Sequence, residues 1–333
     1  MPTTYDVDLI HIIRNHQLDC AHRGRVVVVD HSGSILFAAG DSQAPGYLRS
    51  IGKPFQAAAM IASGAATRYD FAPEERVIAA GSHNGTPYHI ALVAGMLDKI
   101  GLAPDALQCG ISAPLNKTTY EELLLSGQHP GVLHHNCSGK HTGMLASCQT
   151  HGWDIDHYTH ADHPVQQLIL EQVAAAADLA LDQIELSPDG CSVPTFGIPL
   201  YNVAVMFRRL GTSIQENNSP LGQIARLMQQ YPRIYSGQQR LDADLTAISK
   251  GKLIVKDGAE GIVGVAVPEH GVGIALKVSD GSQRAIVPTL LKVLAHFGYL
   301  TADEIAQLEV LYPPVILNHK GERAADIQTV LTV

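Results

Sequence analysis

"GRVVVVDHSGSILFAAGD" (residues 24–41) places two β-rich runs on either side of "DHSGS". Valine-rich and mixed apolar runs separated by Asp, Ser and Gly are the composition of an antiparallel hairpin. Directly after it, "YLRSIGKPFQAAAMIASGA" (47–65) turns alanine-rich from Phe55, which favours helix. Pro54 stands early in that run, where a helix tolerates it because the first amide donors have no intrahelical partner.

Working outward, the chain from 55 to 250 has a helical texture. "HPVQQLILEQVAAAADLAL" (163–181), "GIPLYNVAVMFRRLG" (197–211) and "PLGQIARLMQQYP" (220–232) each read as a helix. After Gly251 the texture reverts to strands in "KLIVKDGAEG", "IVGVAVPEHG" and "VGIALKVSDGS". Their turns carry residues that tolerate positive φ. "AIVPTLLKVLAHFGYL" (285–300) then reads as a closing helix. Strands at both ends with helices between predict an α/β (α+β) architecture. One antiparallel sheet is built from both chain ends, with flanking helices and an inserted, mainly helical lobe. The expected partition is 1–54 with 251–333 for the sheet lobe and 55–250 for the helical lobe, with the catalytic cleft between them.

The 333 residues are 46% hydrophobic and 17% charged, a globular composition long enough for about two lobes. A net charge of −9 and the lack of any basic run argue against nucleic acid or an anionic membrane as partner. The opening "MPTTYDVDLI" has no basic start followed by an apolar stretch. Nor does any apolar run approach the roughly 18 residues needed to span a bilayer. A cytoplasmic protein is expected.

Five cysteines at 20, 109, 137, 148 and 191 are odd in number and widely spaced, unlike a disulfide framework. Cys20, Cys109 and Cys148 suit the role of small core hydrophobes. Cys137 and Cys191 instead lie in polar turns, "NCSGKH" and "SPDGCSVP". The first belongs to "HHNCSGKHTGML" (134–145), whose Gly-Lys pair suggests a phosphate loop. The spacing refuses it: His134 stands where the first glycine is required, and His141 where a serine or threonine should follow Lys140. Cys137 is then a nucleophile with His135 or His141 as base, or, with Cys191, a zinc ligand.

"RSIGKP" supplies Ser50 and Lys53 at Ser-x-x-Lys spacing. Residues three apart share a helix face, so the amine can reach the hydroxyl. Burial favours the uncharged amine that can accept the serine proton. The pair opens the first helix after a hairpin, where serine acyl-transfer enzymes of the β-lactamase type carry it. That template calls for a serine-bearing loop and a lysine-bearing strand further on. "GSHNG" (81–85) offers Ser82 and Asn84, and "LIVKDGAEG" offers Lys256.

Together, "RSIGKP", "GSHNGTPYH", "NCSGKHTGML", "DGCSVPTF" and "KDGAEG" resemble the rhizobial-type, zinc-containing L-asparaginase family, over roughly Arg25 to Lys292. The resemblance implies a serine β-lactamase-like fold, hydrolysis of L-asparagine to aspartate and ammonia, and a homodimer. It makes Ser50 the nucleophile with Lys53 as base, and Ser82 with Lys256 a second Ser–Lys pair. Cys137, Lys140 and Cys191 match the family's zinc ligands. Arg49, His83, Asn84 and Asp189 fall where substrate contacts are expected. The alternatives are a glutaminase or another Ser–Lys amidohydrolase, and a non-catalytic, zinc-dependent amino-acid-binding protein. A β-lactam- or peptide-directed enzyme would be favoured by a Lys-Thr-Gly and a secretion signal, and the sequence shows neither.

Overall fold

The computed structural model describes residues 5–333. The first four residues of "MPTTYDVDLI", on which the reading of no leader partly rests, lie outside the described residues. Strands run along the chain as β1 (Val7–Arg14), β2 (Gln17–Val29), β3 (Ile35–Ala39) and β4 (Pro45–Tyr47). After these come β5 (Glu185–Pro188), β6 (Pro194–Pro199), β7 (Ile254–Gly258), β8 (Ile262–Val267), β9 (Val272–Val278), β10 (Val315–Leu317) and β11 (Arg323–Thr329). The chain divides into two compact units. One holds the residues up to Ile51 with Ile198–Gly211 and Asp244–Val333, and the other holds Gly52–Gly197 with Thr212–Ala243.

The first unit is built on an eight-stranded sheet in the order β10-β11-β1-β2-β9-β8-β7, with β3 also paired to β2. Both ends of the chain supply its strands and the pairings are antiparallel, as the sequence implied. The "DHSGS" hairpin forms in the expected place. Val26 pairs with Ala39 and Val29 with Ile35, and the amide of Asp30 donates to Ser34 O at 2.9 Å. Val26–Val29 and all of β8 are buried, so these strands read as continuous apolar runs where an exposed strand would alternate.

Three strands of this eight-stranded sheet escaped the sequence reading, as did the short β4, β5 and β6 outside it. β1 turns into β2 through Asn15 and His16, both at positive φ (46° and 64°). This two-residue turn works without the glycine that normally announces it. β10 and β11 escaped because one is three residues long and "RAADIQT" is largely polar. The helix Leu200–Thr212 was grouped with the helical stretch by sequence, yet Ile198–Gly211 belongs to the sheet unit. Two sheet glycines explain it. A Cβ on Gly264 would lie 1.9 Å from the Phe207 ring, and one on Gly273 would lie 1.9 Å from Ala204 O. Only bare backbone lets the helix lie that close.

The second unit is mainly helical. At its centre is Lys53–Ala62, with eight of its ten residues buried. It packs against the helices Ser138–His151, Pro164–Ala177 and Pro220–Gln230. Its alanines permit the close approach, and Gly143 leaves room for Met60 Sδ. β5 and β6 form a hairpin closed at Pro188 and Pro194. Among the described residues no helix is long and apolar enough to cross a membrane.

Candidate active site

The candidate residues of the sheet unit lie on a turn and on a strand. Arg49 and Ser50 occupy the helical turn Arg49–Gly52, which runs straight into Lys53–Ala62, so Ser50 and Lys53 are three apart in one helical stretch. Arg49 is held at φ 49°, a conformation that costs a non-glycine residue about 1 kcal/mol or more. Its guanidinium pairs with Glu260 Oε1 at 3.6 Å, and Glu260 is itself at φ 62°. Two strained turns thus brace one another. Lys256, on β7, is fully buried, and its Nζ donates to the carbonyl and Oδ1 of Asp257, both at 2.8 Å.

In the helical unit, Lys53 is buried at the start of its helix. Its Nζ donates to Ser82 Oγ at 2.9 Å and to Asn136 O at 3.3 Å. The Ser82 loop is fixed by tight packing: a Cβ on Gly81 would overlap Tyr235 O at 1.8 Å. His83 is wholly buried. Its Nδ1 accepts from the Gly85 amide at 3.2 Å, and its Nε2 lies 2.9 Å from Ser138 Oγ. Since that hydroxyl is spent on Leu133 O, Nε2 carries the ring proton. Burial above all holds His83 well below the usual histidine range. Both ring nitrogens are therefore engaged, one within the loop and one by the helix Ser138–His151. Asn84 Nδ2 donates to Gln238 O at 3.0 Å, while its buried Oδ1 has no hydrogen-bond partner among the described residues.

Cys137, Lys140 and Cys191 come together, although more than fifty residues separate the last two. Cys137 caps the helix Ser138–His151 and Lys140 lies in its first turn. Cys191 sits in the loop that joins β5 to β6. Asp189 closes that loop by donating its amide to Val193 O and accepting from the Ser192 amide, each at 2.9 Å. Lys140 Nζ is 3.1 Å from Cys191 Sγ. The neighbouring Cys137 side chain and Lys140, opposed by burial, hold Cys191 below the usual thiol range. Cys137 is pushed up by the nearby Cys191 and by burial, and its Sγ donates to Asn136 Oδ1 at 3.2 Å. Burial would lower Lys140, but the Cys191 and Cys137 sulfurs outweigh it and hold the amine above the ordinary lysine value.

Two soft sulfurs and an amine in one dry pocket suit zinc chemistry. A tetrahedral ion would hold nitrogen and sulfur about 3.5 Å apart, a small opening of the observed 3.1 Å. Among the described residues no three His, Cys, Asp or Glu side chains stand together as a metal site, so any ion here needs Lys140. The donor set fits. The neighbouring His135 is lowered by burial to about 4, and His141 is likewise lowered by burial. His141 Nδ1 is 2.7 Å from the Tyr158 hydroxyl.

A family model described as L-asparaginase II matches residues 10–329, nearly the whole chain. The chain belongs to the L-asparaginase II family. This is a family of amidohydrolases, enzymes that act on small amides. No curated protein matches by sequence. Among solved structures, the family member shares 15% identity with Mglu in its glutamate form. That alignment covers 84% of this chain and 62% of the other, with a TM-score of 0.38. A β-lactamase from Mycobacterium bovis is 12% identical, over 82% of this chain and 94% of its own, with a TM-score of 0.44. The chain thus spans less than two thirds of the length of Mglu.

Two contacts were not foreseen from sequence: Asn136 O as a partner of Lys53, and Asp257 as the partner of Lys256. The first is a backbone oxygen and leaves no trace in residue type. The second was readable only as an adjacent "KD", whose side chains would ordinarily face opposite sides of a strand.

Proposed function

We propose that this family member hydrolyses the side-chain amide of L-asparagine to L-aspartate and ammonia through an acyl-enzyme on Ser50. The observation that carries the reading is Lys53, a buried amine three residues beyond Ser50 that also holds Ser82 Oγ at 2.9 Å. Its burial favours the uncharged amine that can accept the serine proton. Ser50 Oγ attacks the amide carbon while Lys53 takes the hydroxyl proton. The tetrahedral adduct collapses as that proton passes through Ser82 to the departing nitrogen, releasing ammonia. Water then adds to the ester and gives its proton to Lys53, which passes it to Ser50 Oγ as the ester bond breaks and aspartate leaves. Lys256 supplies positive charge to the developing oxyanion, and Arg49, Asn84 and Asp189 serve the amino-acid head group. The serine β-lactamase-like arrangement, a homodimer and a cytoplasmic setting belong to the same reading.

Cys137, Lys140 and Cys191 would hold zinc, with water as fourth ligand. When bound, the ion supplies a fixed positive charge for orienting the substrate head group. Without it, the same three side chains form a buried ammonium–thiolate pair.

The test is ammonia release from L-asparagine and L-glutamine by the wild type, Ser50→Ala and Ser82→Ala, with metal content measured on each. The expected result is asparagine turnover that falls about 10³-fold or more in Ser50→Ala, with about one zinc per chain. No ammonia from either amide would sink the reading. Turnover that survives Ser50→Ala but not Ser82→Ala would move the nucleophile to Ser82.

A further inference from the structure

We infer that Asp257 is a positioning residue that keeps Lys256 as a fixed ammonium, so that Lys256 serves the amide reaction as a cation and never as its base. The inference rests on the reading just given and departs from the expectation that Lys256 and Ser82 form a second nucleophile–base pair.

The geometry is local to β7. Consecutive strand residues point to opposite faces, yet Lys256 Nζ folds back to Asp257 and takes two acceptors from it, the carbonyl and Oδ1, each at 2.8 Å. β7 is the edge of the sheet, where a carbonyl pointing away from β8 is available. The Lys256 side chain is 0% exposed and that of Asp257 13%. Lys256 lies opposite Gly264 on β8, the glycine whose face is filled by the Phe207 ring, so the stem runs beside an apolar wall. Water cannot solvate such a charge, and a carboxylate in contact does so instead.

Charged groups also stand on the neighbouring elements, among them the buried Asp242, which accepts from the Ser236 hydroxyl. β8 carries only apolar residues and glycine. On the turn after β7, Glu260 is paired with Arg49. On the helix Leu241–Ile248, Thr246 Oγ1 accepts from the Val255 amide and Asp244 Oδ2 accepts from the Tyr312 hydroxyl. An ammonium held by a neighbouring carboxylate is a poor proton acceptor but a good oxyanion partner.

Substitution by arginine separates the two roles, because arginine keeps the charge and cannot act as a base. Lys256→Arg is expected to lose no more than about tenfold in kcat, against about 100-fold or more for Lys256→Met. Lys53→Arg is expected to lose about 10³-fold. In Asp257→Asn the alkaline limb of the kcat/KM profile should move to lower pH by about one unit or more, a shift that a purely structural role would not produce. Lys256→Arg as inactive as Lys256→Met, with an unmoved limb in Asp257→Asn, would overturn the inference.

A second measurement needs neither turnover nor the variants' folding. The Cε chemical shift of Lys256 in labelled wild-type enzyme should report an ammonium at pH 8, and a neutral amine there overturns the proposal outright. Wild-type enzyme inactive on both amides would refute the substrate reading while the chemical shift still decides the state of Lys256.

Discussion

Lys53 in the helical unit and Lys256 in the sheet unit are buried to the same degree, 1% and 0% exposed, yet the contacts described for each within its own unit differ. Lys53 reaches a serine hydroxyl and a backbone carbonyl, whereas Lys256 reaches a carboxylate. Desolvation alone disfavours the ammonium at both. The difference teaches that the partner, and not the depth of burial, decides whether a buried lysine is suited to base or cation. Lys140 is a third case, held by sulfur and raised above its ordinary value by the thiolate it faces.

Removing Lys140 gives the largest stability effect that tests this rule. Lys140→Met should cost about 3 kcal/mol in urea unfolding, because it leaves a buried thiolate without its cation. The loss should be greatest in chelator-treated protein. A neutral substitution there would break the comparison, since it would mean that the charged partner contributes nothing.

A smaller effect is expected from Gly264→Val, which drives a side chain into Phe207 beside Lys256. Overpacking of this kind costs about 1–3 kcal/mol, to be read as a lower denaturation midpoint. The prediction sharpens the contrast by disturbing the apolar wall of one lysine while leaving the helical unit's packing alone. Full stability in Gly264→Val would show that the helix over β8 adjusts freely.

The smallest effect concerns the neutral surroundings of Ser82. His83 and His89 stack with centroids 5.3 Å apart, and burial is the first cause that lowers both. Their folded values lie below 6.5, so their contribution to stability is complete above that pH. It is lost as the pH falls through the folded values. The thermal midpoint should therefore decline below pH 6.5, and less steeply in His89→Gln. Identical slopes would remove the pair from the account.

Much of this was legible in the chain. The "DHSGS" hairpin, the strands after Gly251 and the alanine-rich helix after Ser50 announce themselves through valine runs, turn residues and helix formers. Those signals are local, and local signals survive in sequence. The turn at Asn15–His16 was not legible, since its left-handed backbone is enforced by strand pairing on either side and not by a glycine. The same holds for Ile198–Gly211, whose place against the sheet depends on two glycines more than fifty residues away.

By itself the sequence determined which residues are candidates for chemistry: Ser50 and Lys53 by helical spacing, Cys137 and Cys191 by lying in polar turn sequences. Only the tertiary structure decided what each faces. It gave Lys53 to Ser82, Cys191 to Lys140 and Lys256 to its own neighbour Asp257. The reason is physical: a side chain's type fixes which protonation states it can adopt, but the state it holds is set by burial and by partners that the fold brings from elsewhere in the chain.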